Sequence, residues 1–291
     1  MTQREIRSKS KYGEDKFTEV DGYILHYIEV GKGHPVILIP GSFSTYRAWN
    51  RIIPLLSERY RLLALDYLGT GDSDKPTKRF RYTIEEQADL IAKMIRKLGI
   101  GKVHLVGGSY GGAIALSLAV RHPDLISKVV SIEGGVVIPE NMPQSPVEYF
   151  LRYPIIGDLF IALTKTNFMT GALIRLIAGK WYPHMTSDDK KEMKEQLRHN
   201  GKSSSRIPWY WISVSHKTAK PFEEEAKSIK VPVLYLYGTE SDFKKSILEP
   251  NLKFFRTYLP KIKIAGVDGG IHDLEFQKPK EVADLILEFF A

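Results

Sequence analysis

The chain has 291 residues, which suits one large domain or one domain with a sizeable insertion. Hydrophobic residues make up 43% of it and charged residues 26%, an ordinary globular composition that excludes a disordered, collagen-like or coiled-coil chain. No apolar run reaches the roughly 18 residues of a transmembrane helix, and no apolar stretch near the N-terminus resembles a signal peptide. We therefore expect no transmembrane segment and a cytoplasmic location.

The net charge of +8 is spread along the chain instead of forming one dense basic patch, so we expect no nucleic-acid partner. The chain has no cysteine, which excludes disulfides, a thiolate nucleophile and cysteine-ligated zinc. No metal-binding cluster and no cofactor fingerprint is recognisable, so we expect neither a metal nor a cofactor. The sequence does not specify an oligomeric state.

Strands and helices alternate in the N-terminal half. The turn dipeptide Asp21-Gly22, between apolar stretches at 17–20 and 23–30, predicts a β-hairpin. Apolar, β-branched runs predict further strands, and apolar residues at helical spacing predict helices. The predicted strands are 36–39, 61–65, 103–106 and 128–132, and the predicted helices are 46–60, 83–98 and 113–120.

The alternation is interrupted in the second half of the chain. Between residues 134 and 226 the pattern predicts only helices, near 147–164, 171–178, 187–198 and 207–216. Strands at 231–237 and 262–265 and helices at 246–258 and 280–290 restore the alternation. The simplest architecture is an α/β fold with a mostly parallel sheet and helices on both faces. Residues 1–138 and 227–291 would form this core, and residues 139–226 would be a helical insertion.

The segment Gly107-Gly108-Ser109-Tyr110-Gly111-Gly112 lies between a predicted strand and a predicted helix. Glycines two residues before and after the serine allow a sharp strand-to-helix turn, which exposes the Ser109 hydroxyl at the N-terminus of the helix. A phosphate-binding loop is the alternative, but it requires a Gly-Lys-Ser/Thr ending that is absent here. Ser109 is therefore the candidate nucleophile.

Five motifs in order resemble those of the α/β-hydrolase family. Besides the serine turn, they are 39–42 followed by Trp49, 66–76, 238–242 and 270–279. The resemblance covers nearly the whole chain. It implies a mostly parallel, doubly wound eight-stranded sheet with a helical cap, here residues 139–226, and a serine-nucleophile, esterase-like activity.

The resemblance also implies the other catalytic residues. His272, followed by Pro279 seven residues later, looks like the family's general base, which a serine hydroxyl needs in order to attack at neutral pH. The family usually has its acid where Ser241 stands, so we expect Asp242, one residue later, to be the acid. Glu133, at the end of another predicted strand, is the alternative, because some relatives carry the acid there.

The oxyanion hole is expected to consist of two backbone amides, those of Ser42 and Tyr110. Pro40 stands where the family usually has a histidine before Gly41. This departure is expected to affect the shape of the loop and not the reaction.

The predicted cap contains three of the four tryptophans of the chain. We expect Phe43, Trp181, Trp209 and Trp211 to bind an apolar acyl or alcohol group of a small-molecule ester. Relatives with aspartate at the nucleophile position attack alkyl halides or epoxides, whereas Ser109 favours acyl transfer through an acyl-enzyme. The leading hypothesis is a serine carboxylic-ester hydrolase. The alternatives are a weakly catalytic ligand-binding receptor, a C–C bond hydrolase, a peptidase and a perhydrolase.

Overall fold

The structure is a computed structural model that describes residues 10–137, 146–164, 166–203, 206–215, 222–259 and 261–291. Eight strands form one sheet in the order β1-β2-β4-β3-β5-β6-β7-β8. The strands are β1 (Glu14–Val20), β2 (Tyr23–Val30), β3 (Pro35–Ile39), β4 (Arg61–Asp66), β5 (Val103–Gly108), β6 (Ile126–Ile132), β7 (Val233–Gly238) and β8 (Lys263–Val267). Only the pairings of β2 are antiparallel. The predicted eight-stranded, mostly parallel sheet is confirmed.

Most helices lie near the predicted positions, but the stretch predicted near 147–164 is two helices, the short helices at 222–226 and 274–277 were not predicted, and one predicted helix is an exception. The helices are α1 (Ile53–Leu56), α2 (Ile84–Leu98), α3 (Tyr110–Arg121), α4 (Pro146–Arg152), α5 (Pro154–Thr164), α6 (Asn167–Ala178), α7 (Ser187–Ser203), α8 (Arg206–Ser213), α9 (Phe222–Ala226), α10 (Glu249–Tyr258), α11 (Leu274–Gln277) and α12 (Pro279–Phe290). The exception is the predicted helix 46–60, which is instead a 3-10 helix (Tyr46–Trp49) followed by α1. Pro54 lies in the first turn of α1, where its missing N–H does no harm. Among the described helices, none is both long and apolar enough to span a membrane.

Local sequence signals fix the ends of several elements. Asp21 and Gly22 both have positive φ, at 52° and 79°, as the tight turn of the β1–β2 hairpin requires. Thr83 caps α2 by accepting a hydrogen bond from the Glu86 amide at 3.2 Å, and the helix ends at Gly99, whose φ is 62°.

The core has two layers, one on each face of the sheet. Along β3, Ile37 and Ile39 pack on the face covered by α2, α3 and α10, whereas Val36 and Leu38 pack on the face covered by α1 and α12. Successive side chains of a strand point to opposite faces, so a strand buried on both sides is continuously apolar. This two-sided burial gives the doubly wound architecture.

The helices α4 to α9 all lie between β6 and β7, which are neighbours in the sheet. The expected start of the insertion at residue 139 lies outside the described residues. Arg51 attaches α7 to the sheet domain: its guanidinium bonds Glu192 at 2.8 Å and Asp189 at 2.6 Å, and it lies 4.0 Å from the ring centre of Phe276. A helix of the inserted segment is thus held beside the residues that follow His272.

Candidate active site

Ser109 lies at the junction of β5 and α3, with φ 50° and ψ −117°. The chain packs very closely on both sides of this strained turn. A Cβ atom on Gly107 would lie 2.2 Å from the Gly111 carbonyl oxygen, and one on Gly111 would lie 2.2 Å from the carbonyl oxygen of Ile39. The glycines are therefore required for the sharp turn, and the turn presents the Ser109 side chain at the start of a helix.

A cavity of about 630 Å³ opens above this turn. Ser109, Glu133 and His272 all line it, and so do Ser42, Phe43 and Tyr110; its other described walls come from the loops after β7 and β8 and from α7 and α8. Parallel strands bring their carboxyl ends to one edge of a sheet, which is where ligands bind in open α/β folds. The predicted nucleophile, base and oxyanion residues therefore meet in one cavity.

His272 pairs with Glu133. Its Nδ1 lies 2.6 Å from Glu133 Oε2, a short distance typical of a charge-assisted hydrogen bond. The Glu133 side chain is almost completely buried, and its backbone has a left-handed φ of 48°, unusual for a residue other than glycine. Strain of this kind persists only where the surroundings impose it, and it is common at functional sites.

Two further donors hold the Glu133 carboxylate. The Gly238 amide donates to Oε1 at 2.8 Å, and the Ser241 hydroxyl donates to Oε2 at 2.7 Å. Both donors come from the end of β7, the strand that neighbours β6 in the sheet. The carboxylate is therefore fixed in orientation before any substrate binds.

The expectation that Asp242 orients His272 is not supported by this geometry. Asp242 is exposed and lines the cavity, and no hydrogen bond joins it to His272 among the contacts of the described residues. The position that usually carries the acid is occupied by Ser241, whose hydroxyl donates to Glu133 Oε2 at 2.7 Å. The carboxylate of Glu133, the alternative, takes the place beside the imidazole.

The environment of His272 stabilises its charged form. Burial alone would lower the pKa of His272, but the hydrogen bond and the negative charge of Glu133 outweigh burial and raise this pKa to about 9. The ring of Phe243 packs edge-on against the imidazole at 4.7 Å between ring centres. The pair can therefore take up a proton at the imidazole and stabilise the resulting cation.

The loop that carries Ser42 is held from several directions. The Tyr67 hydroxyl donates to the Gly41 carbonyl at 3.0 Å, and the Asn200 amide group of α7 donates to the carbonyl of Phe43. A Cβ atom on Gly41 would lie 3.5 Å from the Cβ of Ser109, so this loop passes directly beside the candidate nucleophile. Pro40, in place of the family's histidine, does not prevent this approach.

The three tryptophans expected to bind substrate do not line the cavity. Trp209 is buried against Leu151 and Ile161, and its ring centre lies 5.2 Å from that of Phe43. Trp181 packs edge-on against a phenylalanine of α11, and Trp211 packs against the main core. The prediction that these tryptophans contact substrate is therefore wrong for this structure, because their rings pack against other parts of the protein. Of the four residues predicted to bind substrate, Phe43 alone lines the cavity.

The inserted helices supply other residues to the cavity, which the sequence analysis missed. They are Met193, Gln196 and Leu197 of α7 and Ile212 and Ser213 of α8. The signal that could have identified the first three is their spacing of three and four residues, which places them on one face of α7.

A second cluster of ionisable groups lies outside the cavity. His26, Asp66 and Asp72 bring potential ligand atoms within 4.8 Å of one another. The Asp66 carboxylate, however, accepts hydrogen bonds from His26 Nδ1 at 2.7 Å and from the amides of Tyr46 and Asp72, each at 2.9 Å. The His26 imidazole and the Asp66 carboxylate thus bond each other, and the two amides that donate to Asp66 connect β2 and β4 to the segments that carry Tyr46 and Asp72.

The alpha/beta hydrolase fold family matches residues 34–243 of the chain. A soluble epoxide hydrolase of Corynebacterium sp. (strain C12) is 24% identical over 284 residues, which cover 94% of this chain and 95% of that protein. A 2-hydroxy-6-oxo-6-(2'-aminophenyl)hexa-2,4-dienoic acid hydrolase of Metapseudomonas resinovorans is 34% identical over 168 residues, 56% of this chain and 57% of that protein.

Solved structures have the same fold. The bromoperoxidase from Bacillus anthracis superposes with a TM-score of 0.78 at 21% identity and covers 95% of this chain and 99% of its own. The enol-lactonase from Burkholderia xenovorans LB400 has a TM-score of 0.76 at 19% identity, and the superposition covers 94% of this chain and 99% of the lactonase. With the matched family spanning most of the chain, the protein belongs to the alpha/beta hydrolase fold family.

Proposed function

We propose that this chain is a serine hydrolase that cleaves carboxylic esters with an apolar acyl or alcohol group. Membership of the hydrolase fold family supports hydrolysis as the general reaction. One observation supports the finer assignment most: the 2.6 Å hydrogen bond between His272 and Glu133, in the cavity that Ser109 also lines. A serine nucleophile, a histidine base and an acid that orients it are the parts that acyl transfer requires.

In the proposed acylation step, the Ser109 hydroxyl attacks the ester carbonyl carbon while His272 Nε2 accepts its proton. Glu133 holds the imidazole in the tautomer with the proton on Nδ1, and its charge stabilises the imidazolium that forms. The carbonyl oxygen becomes an oxyanion, to which the amides of Ser42 and Tyr110 donate. Collapse of this intermediate breaks the ester bond, and the imidazolium returns its proton to the departing alcohol.

Deacylation repeats the same steps with water as the nucleophile. His272 accepts a proton from the water, the hydroxide attacks the acyl-serine carbonyl, and the protonated imidazole then donates to the Ser109 oxygen as it leaves. The products are a carboxylic acid and a regenerated serine. Because the same two backbone amides face both tetrahedral intermediates, one oxyanion hole serves both half-reactions.

Ester hydrolysis is favoured over epoxide opening, although several similar proteins are named as epoxide hydrolases. Relatives that attack epoxides have an aspartate carboxylate as nucleophile, which is already charged and needs no base to activate it. Ser109 is a hydroxyl that must lose a proton to its base, and this chemistry suits a carbonyl carbon. The apolar side chains Phe43, Met193, Leu197 and Ile212 along the cavity favour an apolar group beside the ester.

The experiment compares wild type with Ser109→Ala on p-nitrophenyl esters of increasing acyl length. We expect wild type to hydrolyse these esters and Ser109→Ala to lose all but a residual activity, with unchanged circular dichroism. Ser228→Ala is the matched control, because Ser228 is exposed and its hydroxyl bonds only the Glu225 carbonyl, at 2.6 Å. Full activity in Ser109→Ala would contradict the proposal.

Hydrolysis of a C–C bond is the second candidate, supported by the dienoic acid hydrolase that is 34% identical over 168 residues. In this reaction Ser109, with His272 as its base, would attack a ketone carbonyl. A vinylogous 1,5-diketone assayed beside the ester series separates the two: cleavage of the diketone without ester hydrolysis favours C–C bond hydrolysis. Tight binding of an ester without turnover would instead indicate a ligand-binding receptor.

A further inference from the structure

The cavity has an uneven distribution of charged side chains. Four carboxyl groups line it, those of Glu133, Asp242, Asp273 and Glu275, whereas no lysine or arginine belongs to its described lining. His272 neutralises Glu133 through their hydrogen bond, which leaves three acidic groups without a basic partner in the cavity. This contrasts with the chain as a whole, whose net charge is +8.

Glu275 is the most deeply placed of these three groups. It lies in α11, three residues after His272, and is only 7% exposed. Its Oε1 lies 3.0 Å from the point where a Cβ on Gly108 would stand, so the carboxyl group packs against the backbone of the residue that precedes Ser109. Glycine at position 108 is what makes room for it. Glu275 is therefore close to the reaction centre and faces the cavity.

Glu275 has no side-chain partner in the described part of the chain. Its carboxyl group interacts with its own backbone amide, and burial together with the charge of Asp273 raises the pKa of Glu275 to about 8. The charged groups that act on it are Asp273, His272 and Glu133, and two of these three are acidic. Burying a carboxyl group that has no side-chain partner is costly, and such a cost is tolerated where a ligand supplies the missing partner.

The cation that contacts α11 at Phe276, Arg51, is already paired. Arg51 lies over the ring of Phe276, the residue next to Glu275, but its guanidinium donates to Asp189, to Glu192 and to the Phe276 carbonyl. Arg51 is not among the residues that line the cavity. It therefore does not balance the acidic groups that face the substrate.

We propose that Glu275 is a specificity-determining residue that binds a cationic, ammonium-bearing group of the substrate, and that the cavity rejects substrates carrying a carboxylate. This assignment rests on the proposed ester hydrolysis and narrows its substrate class. Above the raised pKa of Glu275, an ammonium group would donate a charge-assisted hydrogen bond to the ionised Glu275 carboxylate, whereas a carboxylate would meet three acidic groups and no lysine or arginine in the described lining.

The test uses three p-nitrophenyl esters of equal acyl length, hexanoate, 6-aminohexanoate and the monoester of hexanedioate, at about pH 9, where Glu275 is ionised and the amine keeps its proton. A hydrogen bond to a charged group contributes about 1.5–3 kcal/mol, so kcat/KM of wild type is expected to be about tenfold or more higher for 6-aminohexanoate than for hexanoate. The hexanedioate monoester is expected to be the poorest of the three. The ratio of kcat/KM between the amino ester and hexanoate is the measured quantity, because it cancels general losses of activity.

Glu275→Gln is expected to reduce this ratio to near one, since the amide keeps the shape of the side chain but has no charge. Glu240→Gln is the matched control, because Glu240 is exposed and does not line the cavity, and its ratio should equal that of wild type. A wild-type ratio of one or less, or a preference for the hexanedioate monoester, would overturn the proposal. So would an unchanged ratio in Glu275→Gln.

Binding without chemistry separates this proposal from the proposed reaction. Hexylammonium and hexanoate are titrated into wild type by calorimetry, and hexylammonium is expected to bind at least about tenfold more tightly. If ester hydrolysis is absent but hexylammonium is preferred, the reaction is wrong and the charge selectivity stands. If esters are hydrolysed but hexanoate binds as tightly as hexylammonium, the charge selectivity is wrong and the reaction stands.

Discussion

His272 Nδ1 and Glu133 Oε2 lie 2.6 Å apart, although 139 residues separate them in sequence. Glu133 follows β6 and His272 follows β8, and the strand β7 and the loop after it supply the two other donors to the same carboxylate, the Gly238 amide and the Ser241 hydroxyl. Three neighbouring strands thus hold one ion pair at the carboxyl edge of the sheet. The following predictions test what this arrangement does.

Replacing the acid should abolish most of the activity. Glu133→Gln keeps the size of the side chain but removes the charge that orients and stabilises His272, so kcat is expected to fall about 10³- to 10⁴-fold. Asp242→Asn is the matched comparison and should lose far less, because Asp242 is exposed and no hydrogen bond joins it to the imidazole among the described residues. Steady-state kinetics on a p-nitrophenyl ester measures kcat of both variants. A larger loss in Asp242→Asn than in Glu133→Gln would restore Asp242 as the acid.

The pH dependence of kcat/KM should report the ionisation of His272. The imidazole acts as a base only when it has lost its proton, and Glu133 holds its pKa above the ordinary histidine value of 6.5, at about 9. Activity is therefore expected to rise with pH through a midpoint above 6.5. In Glu133→Gln the residual activity should show a lower midpoint, since burial alone lowers this pKa. An unshifted midpoint in the variant would show that the two groups are not coupled.

Ser241 should act as a positioning residue. Its hydroxyl donates to Glu133 Oε2 at 2.7 Å, and a hydrogen bond to a charged group contributes about 1.5–3 kcal/mol, so Ser241→Ala is expected to lower kcat/KM about tenfold or more. Without this donor the carboxylate is stabilised less and attracts the imidazolium proton more. The midpoint of the pH profile should therefore move to higher pH, which a purely structural defect would not cause. Ser241→Thr, which retains the hydroxyl, should restore the wild-type midpoint.

The buried pair of His26 and Asp66 should make stability depend on pH. Burial lowers the pKa of His26, but its hydrogen bonds to Asp15 at 3.1 Å and Asp66 at 2.7 Å outweigh burial and raise it to about 9. A folded-state pKa above the unfolded value gives stability that is complete below pH 6.5 and is lost as the pH rises through 9. The contribution of His26 to the free energy of unfolding should fall by at most about 3 kcal/mol over this window, in addition to the fall from His272, whose pKa is also raised to about 9.

Urea denaturation at several pH values measures this effect, with His26→Gln as the variant. The variant should be less stable than wild type at pH 6 and should show a flatter dependence between pH 6.5 and 9. His122→Gln is the control, because His122 is partly exposed and bonds Asp89 at the surface, at 2.8 Å. An equally steep loss of stability in His26→Gln would mean that another group is responsible.

Arg51 should hold α7 against the sheet domain. Arg51→Met removes the hydrogen bonds to Asp189 and Glu192 and leaves both acids without this partner, so local opening of α7 is expected to become about tenfold more frequent or more. Hydrogen exchange of residues 187–203 measures this opening. Arg96→Met, which breaks only the exposed pair with Asp124 at 3.3 Å, should leave the exchange unchanged. Equal exchange in the two variants would contradict the role of Arg51.

The sequence predicted the features that depend on neighbouring residues. The sharp turn at Ser109 could be predicted because its glycines and its strand–helix context are contiguous, and the sheet followed from apolar runs that are buried on both faces. The helix predicted at 46–60 was wrong because Pro54 starts a new helix after the 3-10 turn at Tyr46–Trp49. Propensity alone does not show where one helix ends and another begins.

Features that depend on distant contacts were harder to predict. Asp242 and Glu133 both follow strands that end at the same sheet edge, and only the direction of each side chain distinguishes them. Ser241, in the position of the usual acid, was the available signal, because it donates to the carboxylate that replaces that acid. Likewise Trp181 and Trp209 face neighbouring helices, which depends on the rotation of each helix about its axis and not on the aromatic content of the segment.

Covalent labelling of the folded protein with a fluorophosphonate tests the central claim most directly. Only a serine activated by a base should react at neutral pH, so mass spectrometry is expected to find a single adduct, on Ser109, that is absent in Ser109→Ala and strongly slowed in Glu133→Gln. An unlabelled wild-type protein, or an adduct on a different serine, would contradict the assignment of Ser109, His272 and Glu133 as a catalytic unit.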